Sequence, residues 1–276
     1  MRALKIRLVI AILLIAVAVL ACLLFEPPGI PVLNYHQINN RDVNPLTLTT
    51  EEFAAEMDFL KNAGYTTITA DELANALENG APLPEKPVLI TFDDGYIDNY
   101  ENAYPILKER GMKAMIFLIS DYVGQYPNYL TWEQARTMQK DGISFGSHTL
   151  SHAVLTQCTP AEVKKQLAES RRAIEWRLGQ PVRFLAYPCG FTTGVIEEQV
   201  RDAGYRAAFT VDLGYILPGD DLYRLHRVPA FGANTHMLLR FQARLRCPRI
   251  AASLENFQRA LMDAGYPKLA EWVPSF

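Results

Sequence analysis

The sequence predicts an α/β fold: a distorted barrel of seven or eight strand–helix units, preceded by one N-terminal transmembrane helix. Three observations carry this. Short apolar runs alternate with helical patterns from Ile30 to Val228, as consecutive βα units do. Gly64, Gly111, Gly142 and Gly204 each follow a helical stretch, where a left-handed residue closes a helix. An uncharged apolar run, Leu8 to Phe25, stands behind Arg2, Lys5 and Arg7.

That run is just long enough for the ~20 residues a membrane-spanning helix needs. The basic flank before it and Glu26 after it place the N-terminus in the cytoplasm and the rest outside. Pro27, Pro28 and Gly29 then end the helix. Residues 1–7 therefore read as a basic cytoplasmic segment and residues 8–25 as a transmembrane signal anchor. Residues 26–276 read as one domain, of which 237–276 form an amphipathic helical extension. A cleaved signal peptide is a second reading of the run. A lipoprotein is a third, with AVLAC as its box and Cys22 as the lipid carrier. All three put the domain outside the cytoplasm, in or on a bacterial cell envelope.

The expected strands are Pro31–Tyr35, Tyr65–Ile68, Val88–Phe92, Ala114–Ile119, Ile143–Phe145, Phe184–Tyr187, Ala207–Val211 and Leu225–Val228. The expected helices are Thr50–Asn62, Asp71–Glu78, Tyr100–Arg110, Thr131–Lys140, Pro160–Leu178, Thr193–Ala203 and Leu254–Ala264. Thr131 begins TWEQ, with Gln134 in the capping-box position. Thr50 is followed three residues later by Phe53, so no capping box is expected there. Strands alternating with helices imply parallel pairing. In a parallel barrel, chemistry gathers at the C-terminal strand ends.

Bulk properties narrow the function. With 276 residues, 49% of them hydrophobic, the chain can bury a full core. A net charge of −3 offers no basic excess for a nucleic-acid backbone. Cys158, Cys189 and Cys247 are an odd set outside the apolar run. Their spacing leaves their disulfide status open, a Cys158–Cys189 bond included.

Two strand ends carry polar motifs. The run VLITF leads into Asp93, Asp94 and Gly95, and ISF leads into GSHTLSH, with His148 and His152 four residues apart. An isolated DDG is usually a turn. Two imidazoles and a carboxylate at one barrel mouth are a common divalent-metal arrangement with open positions.

TFDDG and SHTLSH in this order resemble the first two motifs of the polysaccharide deacetylases, carbohydrate esterase family 4. IPVLNYHQI, KPVLITFDDGYIDNYENAYPILKERGMKAMIFLI, LTWEQARTMQKDGISFGSHTLSH and FLAYPCG extend the likeness over about Ile30 to Pro229. The chain is most similar to the branch of bacterial envelope and biofilm enzymes that includes poly-N-acetylglucosamine deacetylases.

The resemblance implies roles for particular residues. Asp94, His148 and His152 match the metal ligands, and Asp93 matches the catalytic base. The metal is expected to be zinc, with cobalt, nickel or iron as alternatives. The backbone N–H of Cys189, in the AYPCG segment with Tyr187 and Pro188, matches the oxyanion and substrate-binding turn, where the family usually has tyrosine. Ala186 stands where members often carry an arginine that braces the base, so the partner of Asp93 is left unassigned. The general acid is either His36, which ends the first apolar strand, or His226 in RLHRVP. His36 is preferred, because His226 between Arg224 and Arg227 reads as a surface position. Among nearby aromatics, Tyr187 is expected to stack on a sugar; Tyr96, Tyr100, Tyr126, Tyr129 and Trp132 are expected to pack. The implied partner is an acetylated polysaccharide: poly-N-acetylglucosamine, peptidoglycan, chitin-like oligomers or xylan. A sugar-binding domain without catalysis, and an amidase acting on another substrate, are the competing readings.

Overall fold

The computed structural model describes residues 29–230, 237–246, 248–266 and 269. Its strands are β1 (Val32–Tyr35), β2 (Gln37–Ile38), β3 (Thr47–Leu48), β4 (Thr66–Thr67), β5 (Pro87–Phe92), β6 (Ala114–Leu118), β7 (Ile143–Ser147), β8 (Phe184–Ala186), β9 (Ala207–Leu213) and β10 (Leu225–Pro229). Its helices are α1 (Thr50–Asn62), α2 (Ala70–Asn79), α3 (Tyr104–Glu109), α4 (Trp132–Gln139), α5 (Pro160–Leu178), α6 (Gly194–Asp202), α7 (Met237–Arg246) and α8 (Pro248–Asp263).

Seven strands close a parallel ring in the order β1, β10, β9, β8, β7, β6, β5, with β5 pairing back to β1. The short β4 adds outside the ring, parallel to β5. Closure is what a run of βα units achieves when no edge is left unpaired. Across the seam Leu33 lies opposite Val228, and on the other side Tyr35 lies opposite Phe92. The first strand thus sits between the third unit of the chain and its last strand. Strand residues such as Leu89, Phe117, Phe184, Ala186, Ala207 and Phe209 belong to one buried apolar cluster.

Local chemistry explains most element ends. The first helix spans Thr50–Asn62 as expected, and Thr49, one residue before the Thr50 from which the sequence reading counted a box, caps it and forms a capping box with Glu52. The expectation of no box there is corrected: Thr50 is already the first helical residue, so N3 is Glu52 and not Phe53. Thr69, Thr131 and Thr159 cap α2, α4 and α5 in the same way. The segment read as one helix, Tyr100–Arg110, is a π-turn, Asn99–Ala103, running into α3. Pro105 has no N–H to donate to the carbonyl four residues back, and its ring crowds that carbonyl.

Residues 29–238, with the barrel, form one compact unit, and the described residues from Leu239 onward belong to another. In the second, Phe241, Leu245 and Ala251 are buried. Among the described residues no helix is long and apolar enough to cross a membrane. The apolar run Leu8–Phe25, with Cys22, lies outside the described residues, as do His236 and Cys247. Cys158 and Cys189 are both free thiols, so the conceivable bond between them is not formed.

Candidate active site

The two aspartates separate at the end of β5 because the backbone changes direction between them. Asp93 is still held as a strand residue, its N–H donating to the Tyr35 carbonyl at 2.9 Å. Asp94 has φ 71° and Gly95 φ 77°. A Cβ on Gly95 would lie 2.6 Å from the Leu118 side chain, so glycine is required both by conformation and by space. One carboxylate therefore points into the barrel and the next turns onto its rim.

Asp93 is 1% exposed, and both of its oxygens accept hydrogen bonds. Arg227 of β10 grips it with two parallel bonds, Nη1 to Oδ1 at 2.8 Å and Nη2 to Oδ2 at 2.7 Å. Asn34 of β1 donates to Oδ2 at 2.8 Å. The guanidinium is itself wholly buried, its Nε donating to the Thr210 carbonyl at 2.7 Å and its Nη1 to Thr91 Oγ1 at 3.2 Å. It lies over the Phe117 ring, 5.8 Å from the centroid. Burial works to raise the Asp93 carboxyl, but the Arg227 charge and its hydrogen bonds outweigh this and hold it well below the usual carboxylate range.

Arg227 is the partner that the sequence reading left unassigned. The outward position that alternation predicts for His226 agrees with the structure; the inward position of its neighbour Arg227 is what the sequence reading did not draw. Arg227 faces the barrel interior, while the half-buried His226 lies against Gly214 on the other side.

On the rim, Asp94, His148 and His152 bring one ligand atom each to a common point, all within 4.8 Å of one another. Asp94 Oδ1 is 3.4 Å from His148 Nε2 and 3.5 Å from His152 Nε2. The His148 ring is buried, and its Nδ1–H donates to the Ala186 carbonyl at 2.8 Å. A carbonyl only accepts, so the proton sits on Nδ1 and the Nε2 lone pair faces Asp94. Burial lowers the pKa of both histidines, which favours the neutral, ligating form. Asp94 Oδ1 is buried without a hydrogen-bond partner. An orphaned anionic oxygen facing two imidazole lone pairs fits a divalent cation of the zinc or late transition-metal class. Burial pushes the Asp94 carboxyl above its ordinary value; His148 and, to a smaller extent, the Tyr96 phenol that lies against it work the other way. Tyr96 stacks on Tyr129 at 5.0 Å, so it supports the site and does more than fill the rim.

His36 follows β1, and its Nε2 is 4.0 Å from Asp93 Oδ2. Burial is the main cause that lowers its pKa to about 4, with Asp93 opposing and Arg227 assisting. Cys189 sits at the tip of the turn after β8, with φ 58° and its thiol side exposed. A Cβ on the next residue, Gly190, would meet Val211 Cγ2 at 2.3 Å, so the turn packs tightly on β9. Pro188 is buried and has no N–H to offer. Tyr187 does not present a face to a sugar: it is fully buried and its hydroxyl donates to the Tyr223 carbonyl at 2.9 Å.

Among the described residues, the non-glycine positions with positive φ are Asp94, Thr149, His152 and Cys189. All four lie at this mouth. Such conformations cost free energy, of order 1–3 kcal/mol each, and persist where the surroundings over-determine them. Their concentration here marks the mouth as the place where geometry takes precedence over backbone comfort.

A buried aspartate clamped by arginine stands beside an Asp–His–His cluster that could hold a metal ion, at the mouth of a seven-stranded parallel barrel. The family model for polysaccharide deacetylase matches residues 80–208. YxkH of Bacillus subtilis (strain 168), classed by name with the polysaccharide deacetylases, is 37% identical over 203 residues, 74% of this chain and 72% of the relative. The poly-β-1,6-N-acetyl-D-glucosamine N-deacetylase of Staphylococcus epidermidis is 26% identical over 231 residues, 74% of this chain and 80% of the relative. Among solved structures, the Streptococcus pyogenes deacetylase PplD superposes with a TM-score of 0.73 at 28% identity, covering 78% of this chain and 98% of that one. IcaB from Ammonifex degensii gives 0.68 at 30% identity, covering 74% and 92%. The chain belongs to the polysaccharide deacetylase family.

Proposed function

We propose that this protein is a metal-dependent hydrolase that removes acetyl groups from N-acetylglucosamine units of a cell-envelope or biofilm polysaccharide. The observation that carries the reading is the convergence of Asp94, His148 and His152 on one point beside a buried, arginine-held Asp93. The name of the staphylococcal relative supports the choice of substrate.

A divalent ion held by Asp94 Oδ1, His148 Nε2 and His152 Nε2 would lower the pKa of a water and draw charge from a carbonyl oxygen. The protein's own groups supply the rest. Asp93 is the general base, kept ionised by Arg227. Oδ2 already accepts two bonds and Oδ1 only one, so Oδ1 is the oxygen with room for the proton of the attacking water. The Cys189 N–H, fixed by its left-handed turn, is the donor toward the oxyanion. His36 delivers the proton that the leaving amine needs. At rest it is neutral, so the proton it gives to the leaving amine as the C–N bond breaks is the one Asp93 has taken from the attacking water, passed on as negative charge developing on the substrate raises the imidazole's proton affinity. His226 faces away from Asp93 and is not assigned to this step.

The basic residues before the apolar run Leu8–Phe25 support a single-pass membrane tether with the barrel outside the cytoplasm. The decisive experiment measures acetate release from β-1,6- and β-1,4-linked N-acetylglucosamine oligomers, peptidoglycan and acetylated xylan, with metal content determined on the same preparation. Acetate from the glucosamine polymers that disappears on chelation and returns with zinc or cobalt supports the reading. Bound metal with no acetate from any of them overturns it.

A further inference from the structure

A second cleft opens beside this mouth, between the 119–131 loop and α5, with a volume of about 560 Å³. That is within the ~300–1,000 Å³ range of small-molecule sites. Its walls carry Asp121, Gln125, Tyr126, Trp132 and Arg177, with Ser120 among the lining residues. We propose that this cleft is a saccharide subsite, which holds a sugar unit of the same chain some way along from the unit being deacetylated. The assignment rests on the substrate class proposed above.

The chemistry of the walls suits a pyranose, which has apolar C–H faces and a rim of hydroxyls. Tyr126 is 53% exposed, so one ring face is free for an apolar sugar face. Tyr126 is braced edge-on by Tyr122, 5.1 Å between centroids, and by Tyr129 at 6.2 Å. The Arg177 guanidinium lies 5.8 Å from the Trp132 ring centroid, which steadies a long, exposed side chain. Held there, its fork can donate to a pair of hydroxyl oxygens. The Asp121 carboxylate accepts from hydroxyls, and the Gln125 amide does both. Ser120 is buried, and its Oγ has no partner within the protein.

The position of the cleft ties it to the reaction. The Ser120 N–H donates to the Thr149 carbonyl at 3.3 Å and the Asp121 N–H to the Leu150 carbonyl at 2.9 Å. Thr149 and Leu150 lie between His148 and His152. On the other side, the Leu130 N–H donates to the Gly95 carbonyl at 2.9 Å, next to Asp94. The loop that forms the cleft is therefore stitched at both ends to the residues that would hold the metal. A polymer chain leaving the catalytic unit along this rim passes over it.

The test uses full-length protein and N-acetylglucosamine oligomers from dimer to hexamer. For the wild type, kcat/KM for acetate release is expected to climb with length. In Tyr126→Ala/Arg177→Ala the hexamer value should fall at least about thirtyfold, the lower bound for one stacking contact plus one charged hydrogen bond. The dimer value should stay put. Both side chains are exposed, so folding is spared; Trp132→Phe, which keeps a ring at α4, is the second variant. Equal losses on dimer and hexamer, or no loss on either, overturn the subsite. A separate arm titrates each protein with hexamer and follows intrinsic tryptophan fluorescence. If no oligomer yields acetate, the catalytic reading fails, and this arm still decides the cleft: weaker hexamer binding by the double variant supports it, and identical or absent binding overturns it.

Discussion

Replacing Arg227 with methionine isolates what the guanidinium does for Asp93. Both side chains are almost wholly removed from solvent, at 0% and 2% exposure. The substitution keeps most of the volume and deletes two charge-assisted bonds, leaving a buried carboxylate with Asn34 as its remaining donor among the bonds described above. Breaking a buried pair by removing one partner costs about 3–5 kcal/mol. For a barrel of this size that is a fall in Tm of roughly 6–20 °C.

The pH dependence gives a sharper test than the magnitude. In the wild type the Asp93 carboxyl titrates well below its unfolded value. Its contribution is complete above that unfolded value and is lost as pH falls through the folded pKa. In Arg227→Met, burial dominates and the carboxyl titrates above its unfolded value. The penalty is then full at about pH 7 and is relieved as the carboxyl takes up a proton on acidification. Urea denaturation across the acid range should therefore show a gap between the two proteins that closes as pH falls. Asp93→Asn added to Arg227→Met should recover much of the loss, because the buried charge is gone. An Arg227→Met protein within about 1 kcal/mol of wild type at neutral pH, or a pH-independent gap, would refute the argument.

Other expectations follow from the same geometry. His36→Ala should lower turnover by roughly 10²–10⁴ while bound metal, measured by emission spectroscopy, stays unchanged. His36→Gln should flatten the stability profile on the acid side. The unfolded imidazole takes up its proton near pH 6.5, the folded one only at about 4, so wild-type stability falls with pH across that window. Tyr96→Phe should weaken cation binding about tenfold in titrations of metal-free protein, by removing a phenol that favours the charged Asp94. Cys189→Gly should keep activity within a few-fold, since a backbone donor survives loss of the thiol and glycine accepts φ 58° without strain.

The sequence was most legible where function is local. Asp93 and Asp94 are adjacent, and His148 and His152 are four apart, so short windows expose them. Their strand-end positions followed from the apolar runs before them. Arg227 was hidden because its partner is 134 residues away. A charged residue in a strand reads as solvent-facing unless the ring is already known to close. The usable clue was RLHRVP itself: in a closed barrel β10 neighbours β1, whose own buried polar residue, Asn34, also reaches Asp93. Tyr187 was misread because motif proximity says which strand end a residue occupies, not which way its ring points. The π-turn before α3 was invisible to periodicity, which places a helix over both segments and does not register a shift in hydrogen-bond spacing.

The clamp on Asp93 joins the third unit of the chain to its last strand. During synthesis, everything from Gly29 to His226 emerges before Arg227 does. An interrupted or mis-threaded product can present the aspartate and both histidines and still carry an uncompensated carboxylate in its centre. On the proposed mechanism, hydrolytic competence would arrive together with completion of the ring, and a copy that ends before Arg227 is expected to be both inert and unstable for one and the same cause.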